Sequence, residues 1–381
     1  LNGGNYVSGA GLAKVAEIDT NLKWETNEQT NIGLDLGFFD NSLNITLDYF
    51  VRDAKDLLLY RNLRPSTGYT SIYTNAGHIR NSGFEFAINY TKEVGDWTFG
   101  ATLNGSTLKN KAIEVGDDIF HSGGVDDGYY WTNYSITKNG HPVGSFYGHK
   151  VAGIFQNQSE IDALNKQAAE KTNGEIAVYQ TAETKPGDWK YIDVNGDGYI
   201  SDEDKTILGD GYPTLNYGLN LTAGYKGWDF TLYMYGVLGQ DILSYSYANL
   251  TSVYAASGGY QNCLADCMKN AWTPENQSSK YTRLTRTDGN HNVRISDAFI
   301  KNGDFLRISN IQIGYTFPKK WVKPLRMESA RVYVSVENLA TITGYKYGDP
   351  EVGDSNVLRT GFDAGRYPFP RTYAFGLSVQ F

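Results

Sequence analysis

The chain has 381 residues, 34 basic and 42 acidic side chains and a formal net charge of −8. That acidic balance argues against a nucleic-acid binder, which normally presents a basic face. The sequence is 40% hydrophobic and 14% aromatic without any long apolar run; this excludes helical membrane spans but not a membrane β-barrel, whose strands are only half apolar.

The opening Leu1-Asn2-Gly3-Gly4 is neither basic nor apolar, so either a signal peptide has been removed or the chain starts inside a longer one. From Ile32 the residues alternate: Ile32, Leu34, Leu36 and Phe38 enclose Gly33, Asp35 and Gly37. Asp40-Asn41 reads as a tight turn, and Leu43, Ile45, Leu47 and Tyr49 then alternate with Asn44, Thr46 and Asp48. This predicts a hairpin with one apolar and one polar face. The pattern returns in Phe84, Phe86, Ile88 and Tyr90 around Glu85, and in Trp97 to Leu103 after Gly95-Asp96. It returns again in Leu215 to Tyr225 and, beyond Lys226-Gly227, in Trp228 to Met234. Ile311 to Phe317, Val332 to Val336 and Tyr373 to Phe381 complete it.

About nine long strands result, longer than the usual globular strand. Their connections alternate between short (40–41, 95–96, 226–227, 318–328) and long (about 61–71, 113–213, 242–301, 343–369). Aromatics flank the short turns: Phe38, Phe39, Trp97, Phe99, Tyr225, Trp228, Phe230 and Phe317. The expected fold is all-β, an antiparallel transmembrane β-barrel with long extracellular loops and an interfacial girdle. A soluble β-sandwich or β-solenoid is the competing fold. Tyr373, Phe375, Leu377, Val379 and the last residue Phe381 read as a terminal membrane-insertion signal. So few strands leave two open edges, which lipid does not tolerate, so residues 1–381 are expected to be the C-terminal part of a larger barrel. Ser159 to Lys171 reads as a short helix with Ser159 as N-cap and Ile161, Leu164 and Ala168 on one face. It lies in the 113–213 loop, which is long enough to form a small subdomain of its own, with 242–301 as a second long loop.

The order of several short motifs resembles the C-terminal half of SusC/RagA-type TonB-linked outer-membrane transporters. They are Leu22-Lys23-Trp24-Glu25 with Glu28-Gln29-Thr30-Asn31-Ile32-Gly33, Asn75-Ala76-Gly77 with Asn81-Ser82-Gly83-Phe84-Glu85, and Gly144-Ser145-Phe146-Tyr147-Gly148 with Gly153-Ile154-Phe155. Pro186-Gly187-Asp188, Trp272-Thr273-Pro274-Glu275-Asn276, Asn338-Leu339 with Thr341-Ile342-Thr343, Asp349-Pro350-Glu351 and the close from Tyr367-Pro368 to Phe381 follow. The resemblance implies a 22-stranded barrel filled by an N-terminal plug and bearing a SusD-like lipoprotein lid. Signal peptide, plug and TonB-contacting box are not in this sequence.

Residues Asp193, Asn195, Asp197, Tyr199, Ser201 and Asp204 stand in calcium-loop order, with Gly196 at the turn and the Tyr199 carbonyl as one donor. Asp204 stands where the usual loop has glutamate, so a structural calcium, or magnesium, is the expectation. Tyr129, Tyr130, Trp131, Tyr245, Tyr247, Tyr254 and Tyr260, with Asp126, Asp127 and Asn133, suit sugar faces and hydroxyls, or else pack the loops or contact a lid. Cys263 and Cys267 either close a tight disulfide or stay free. No hydrolase, zinc-protease, P-loop or dinucleotide motif is present, and the five histidines lack ligand spacing, so no catalytic residue is assigned.

The expected function is nutrient import across the outer membrane. Polar side chains such as Asp35, Asp48, Glu85 and Asn220 would face the lumen, and the long loops would form the mouth. Oligosaccharide is the expected cargo and oligopeptide the alternative. Expected partners are a SusD-like lipoprotein, TonB, the N-terminal part of the same protein and outer-membrane lipid. A secreted calcium-stabilised carbohydrate-binding β protein is the competing class.

Overall fold

The computed structural model describes residues 16–67, 69, 71–120, 131–255, 259–277, 280–353 and 356–381. Nine strands follow one another in sheet order exactly as in the chain, each antiparallel to the last. They are β1 (Thr26–Phe38), β2 (Leu43–Asn62), β3 (Ser71–Val94), β4 (Trp97–Thr107) and β5 (Leu215–Tyr225). β6 (Trp228–Leu238), β7 (Phe305–Thr316), β8 (Ser329–Thr343) and β9 (Thr372–Gln380) complete the wall.

The register explains why alternation in one strand matters to all of them. Phe38, Leu43, Tyr90, Ala101, Leu221, Leu232, Ile311, Val336 and Tyr373 stand side by side in one row across the wall. One residue further along each strand lies a second row: Gly37, Asn44, Asn89, Thr102, Asn220, Tyr233, Asn310, Glu337 and Thr372. Successive side chains point to opposite faces, so one face is apolar and the other polar from edge to edge. Among the described residues no layer covers the apolar face: Ile32, Phe375 and Leu377 are 70%, 76% and 65% exposed. A dry sandwich interior would bury them, whereas a lipid-facing belt leaves them bare of protein.

The short turns close as predicted. Phe39, Asp40 and Asn41 all have positive φ, as do Lys226 and Gly227, whose pairing Tyr225↔Trp228 makes a two-residue primed turn. At this end Trp97 stacks on Tyr225 at 4.3 Å and Trp228 lies 4.8 Å from Tyr315, forming the expected girdle.

At the other end the sequence reading is corrected. β2 and β3 have 20 and 24 residues, about twice what spans a bilayer, so they rise well above the belt and their connection is short. Lys109–Glu114 continues beyond β4 and pairs with the upper part of β3. The 113–213 stretch, expected as a small subdomain of its own, packs against the 242–301 and 343–369 connections. Their side chains share one core, in which Tyr134, Phe146, Leu243, Ile295, Phe299 and Phe362 are buried together. A smaller core of Phe155, Ile161, Tyr179, Tyr191 and Ile200 packs under helix α1 (Gln158–Lys171). The N-cap of α1 is Asn157, not Ser159, because the Asn157 side chain accepts the Glu160 N–H at 3.0 Å.

Candidate functional site

The polar face forms the inner surface of the wall. Asp48 stands opposite Glu85 in the ladder, Thr46 Oγ1 donates to Asp35 at 2.7 Å, and Thr102 Oγ1 donates to Asn89 at 2.9 Å. Arg331 reaches over β7 to Asp229, with Nε–Oδ1 at 2.9 Å and Nη2–Oδ2 at 2.5 Å. Gly314 clears that path, since a Cβ there would meet the guanidinium at 2.4 Å and the carboxylate at 2.6 Å. The four lumen residues expected from alternation, Asp35, Asp48, Glu85 and Asn220, all carry the polar-face register.

Near the long-loop end this face hollows into a cavity of about 580 Å³, lined among others by Glu85, Asn104, Ser106, Asn216, Tyr233, Tyr235 and Glu351. The Tyr233 and Tyr235 rings lie 6.1 Å apart at 29° on successive polar-face positions of β6. Glu351 comes from the 344–371 connection, and the Tyr235 hydroxyl donates to its Oε2 at 2.7 Å. Arg307 of β7 is 1% exposed, donates to Asp349 and lies 3.1 Å from Glu351 through Nη1. It thus holds the Asp349-Pro350-Glu351 turn against the lumen wall. The site combines flat aromatic faces, amides and carboxylates, the equipment of a wet polar ligand site. The sequence reading missed Tyr233, Tyr235, Glu351 and Arg307. The signal for the tyrosines was there, since both occupy polar-face positions between Leu232, Met234 and Gly236.

The loop aromatics do other work. Trp131 is 3% exposed, donates Nε1–H to the Val293 carbonyl at 2.6 Å and meets Tyr245 edge-on at 5.2 Å. Tyr247 is 6% exposed against Phe299. Trp131 and Tyr247 thus pack against neighbouring loop residues. Tyr129, Tyr130, Asp126 and Asp127 lie outside the described residues.

The acidic loop is closed by its own hydrogen bonds. Asp193 accepts the N–H groups of Gly196 at 2.6 Å and Gly198 at 2.8 Å, and Asn195 Nδ2 donates to Asp197 at 2.9 Å. Buried Asp204 accepts from Val194 and Ser201 N–H, both at 2.8 Å, in a capping box with Ser201. Tyr199 sits between them with its N–H on Asp197 at 3.1 Å. Among the described residues no three acidic, histidine or cysteine side chains converge into a metal cage. Asp193, Asp197 and Asp204 are thus each engaged with N–H groups of the loop itself.

Cys263 and Cys267 are free thiols, with Cys267 buried and donating to the Thr251 carbonyl at 3.3 Å. Burial, with the Cys263 thiol beside it, pushes Cys267 up to about 12. Alkylation at about pH 8 is expected to label Cys267 at least about tenfold more slowly than an exposed thiol, because only the thiolate reacts. Peptide mapping of the labelled protein checks this, and equal rates would contradict the buried placement.

Compared with known proteins, residues 2–339 match the family model described as TonB dependent receptor-like, beta-barrel. The chain belongs to this family. It is 32% identical over 391 residues to TonB-dependent receptor P3 of Formosa agariphila, covering 100% of this chain and 36% of that protein. It is 30% identical over 365 residues to TonB-dependent receptor SusC of Bacteroides thetaiotaomicron, covering 95% of this chain and 32% of that one. Its fold matches the structure of the RagAB peptide transporter with a TM-score of 0.71 at 22% identity, over 95% of this chain and 36% of that chain. The chain thus spans about a third of the length of the curated relatives it matches. The SusC/RagA resemblance and the outer-membrane barrel expected from the sequence are borne out. With them the soluble sandwich falls away as a fold. The family is one of TonB-dependent transporters of the outer membrane.

Proposed function

We propose that this chain forms part of the wall and the outward mouth of a TonB-dependent importer of oligosaccharides. The observation that supports this reading best is the lumen cavity, where Tyr233, Tyr235, Asn104, Asn216 and Glu351 meet on the polar face directly beneath the loop body. Ligand would be held there between wall and loops. A plug outside this chain would seal the passage until TonB pulls it, and a SusD-like lipoprotein would cover the loops. Oligopeptide cargo is the second reading, favoured by the fold match to the RagAB peptide transporter. Uptake of labelled oligosaccharide and oligopeptide pools by cells carrying the full-length protein tests both. Energy-dependent oligosaccharide uptake that ends when TonB is deleted is the expected result; uptake of peptides alone overturns the cargo.

For the loop at 193–204 we propose calcium as a stabiliser, supported by the order of its oxygen donors. Asp193 and Asp197 would have to turn from their present partners toward the ion. Millimolar calcium is then expected to raise the melting temperature of the full-length protein in detergent, and Asp197→Ala to abolish the rise. A calcium response that survives Asp197→Ala removes the site.

A further inference from the structure

Glu351 is the charged group that the loops contribute to the lumen cavity, and the fold fixes it from three sides. Its Oε2 takes the Tyr235 hydroxyl at 2.7 Å and lies 3.1 Å from Arg307 Nη1. Its backbone N–H is held by Asp349 Oδ1 at 3.0 Å, and Asp349 Oδ2 accepts the Phe369 N–H at 3.3 Å. Arg307 is locked in turn: Nε donates to Thr341 Oγ1 at 3.2 Å, and its guanidinium lies 5.6 Å from the Phe305 ring and 5.0 Å from the Phe369 ring. A guanidinium buried this deeply stays only where carboxylates neutralise it.

The Glu351 side chain is nevertheless 37% exposed, and its Oε1 makes no hydrogen bond among the described residues. Among the described residues the other charged group lining the cavity is Glu85, and none of those lining it is lysine, arginine or histidine. Arg307 points its charge at Asp349 and Glu351 and offers none to a ligand. The free Oε1, the amides of Asn104 and Asn216 and the Ser106 hydroxyl therefore favour donors such as hydroxyls, and Glu85 and Glu351 repel anions. β4, β5 and β6, which carry most of the lining, are each paired on both sides, so no strand edge is open to a peptide main chain.

We propose that Glu351, positioned by Arg307 and Tyr235, determines the specificity of this wall and selects neutral, polyhydroxylated chains over acidic ones. The inference rests on the reading of the chain as the lumen wall of an importer. Arg307 acts through Glu351 and is a positioning residue.

The test is equilibrium binding to the full-length protein in detergent, without energisation. The probes are neutral xylo-, manno- and gluco-oligosaccharides, their uronate-bearing counterparts of equal length, and a short neutral peptide. A neutral oligosaccharide is expected to bind at least about tenfold more tightly than its acidic counterpart. Tyr235→Phe removes one hydroxyl and should weaken neutral binding about fivefold, with little risk to folding. Glu351→Gln keeps an acceptor and drops the charge, so the neutral-to-acidic preference should shrink about tenfold. Arg307→Lys loses the forked contact and should move the preference in the same direction, which a purely structural defect would not do. Tightest binding by an acidic chain or by the peptide overturns the proposal. So does no binding of any neutral chain, or a preference unchanged in Glu351→Gln. Lost energised uptake with the preference intact counts against the importer reading instead, and intact uptake with no preference counts against this one.

Discussion

Asp188→Ala is expected to unfold the loop body while leaving the wall standing. Asp188 is completely buried and receives Arg283 through Nε at 2.7 Å and Nη2 at 3.2 Å. It also accepts Asn292 Nδ2 at 2.9 Å and the Lys185 N–H at 2.9 Å. The two partners across this clamp belong to different long loops. Removing the carboxylate leaves a largely buried guanidinium and two polar groups without their acceptor, a loss of about 3–5 kcal/mol. The packing around it is equally unforgiving. Gly187 has φ +92° and a Cβ there would meet Trp272 at 2.4 Å, while the Phe155 N–H donates to the Asp188 carbonyl at 3.0 Å and the Gly187 N–H to the Phe155 carbonyl at 2.7 Å. The loop body should then become sensitive to protease between about residues 131–213 and 271–301, with the barrel still resisting heat and detergent. Asp188→Asn keeps the shape and part of the bonding and should fall between. Full protease resistance in Asp188→Ala would mean that the loops are held by something other than this clamp.

That clamp also marks the limit of the sequence reading. Three motifs behind the family resemblance, Gly153–Phe155, Pro186–Asp188 and Trp272, meet here in space although they lie far apart in the chain. Each looked weak alone because what it specifies is a contact with a distant segment, such as Asp188 to Arg283 with a separation of 95. The wall was legible for the opposite reason. A strand between lipid and water must alternate at every step, so each strand carries its own evidence. Above the membrane this constraint lapses: Leu57-Leu58-Leu59 breaks the period where the β2–β3 ladder bulges between Ala54 and Leu58, so strict alternation stops short of the strand ends at Asn62 and Ser71 even though the connection was placed close to where it lies. Asn338 shows the same thing at small scale. It has φ +52° beside the bulge at Ile308/Asn310 and donates to the Pro370 carbonyl at 3.0 Å, a geometric role that no periodicity reports.

The second large effect tests the wall itself. Leu232 lies on the apolar face of β6, between Leu221 and Ile311 on the neighbouring strands, and Thr231 lies one residue away between Thr222 and Gln312. Both are central in the belt, the third and fourth residues above the turn-side aromatic layer set by Trp228. Leu232→Arg would put a guanidinium among hydrocarbon chains near the bilayer midplane, at a cost of about 2–4 kcal/mol. Thr231→Arg would put the same group on the polar face beside Thr222 and Gln312, where it costs little. The full-length protein with Leu232→Arg is therefore expected to reach the outer membrane poorly and to lose heat-modifiable migration on gels, while Thr231→Arg assembles normally. A protein packed as two sheets over a dry interior predicts a different pair of outcomes. There the apolar face is the interior and the polar face the surface, but Leu232→Arg would cost considerably more and abolish folding even in detergent. Refolding of Leu232→Arg into micelles, whose hydrocarbon deforms around a snorkelling arginine, separates the two. Recovery there, with failure in the membrane, requires that Leu232 face lipid and not protein.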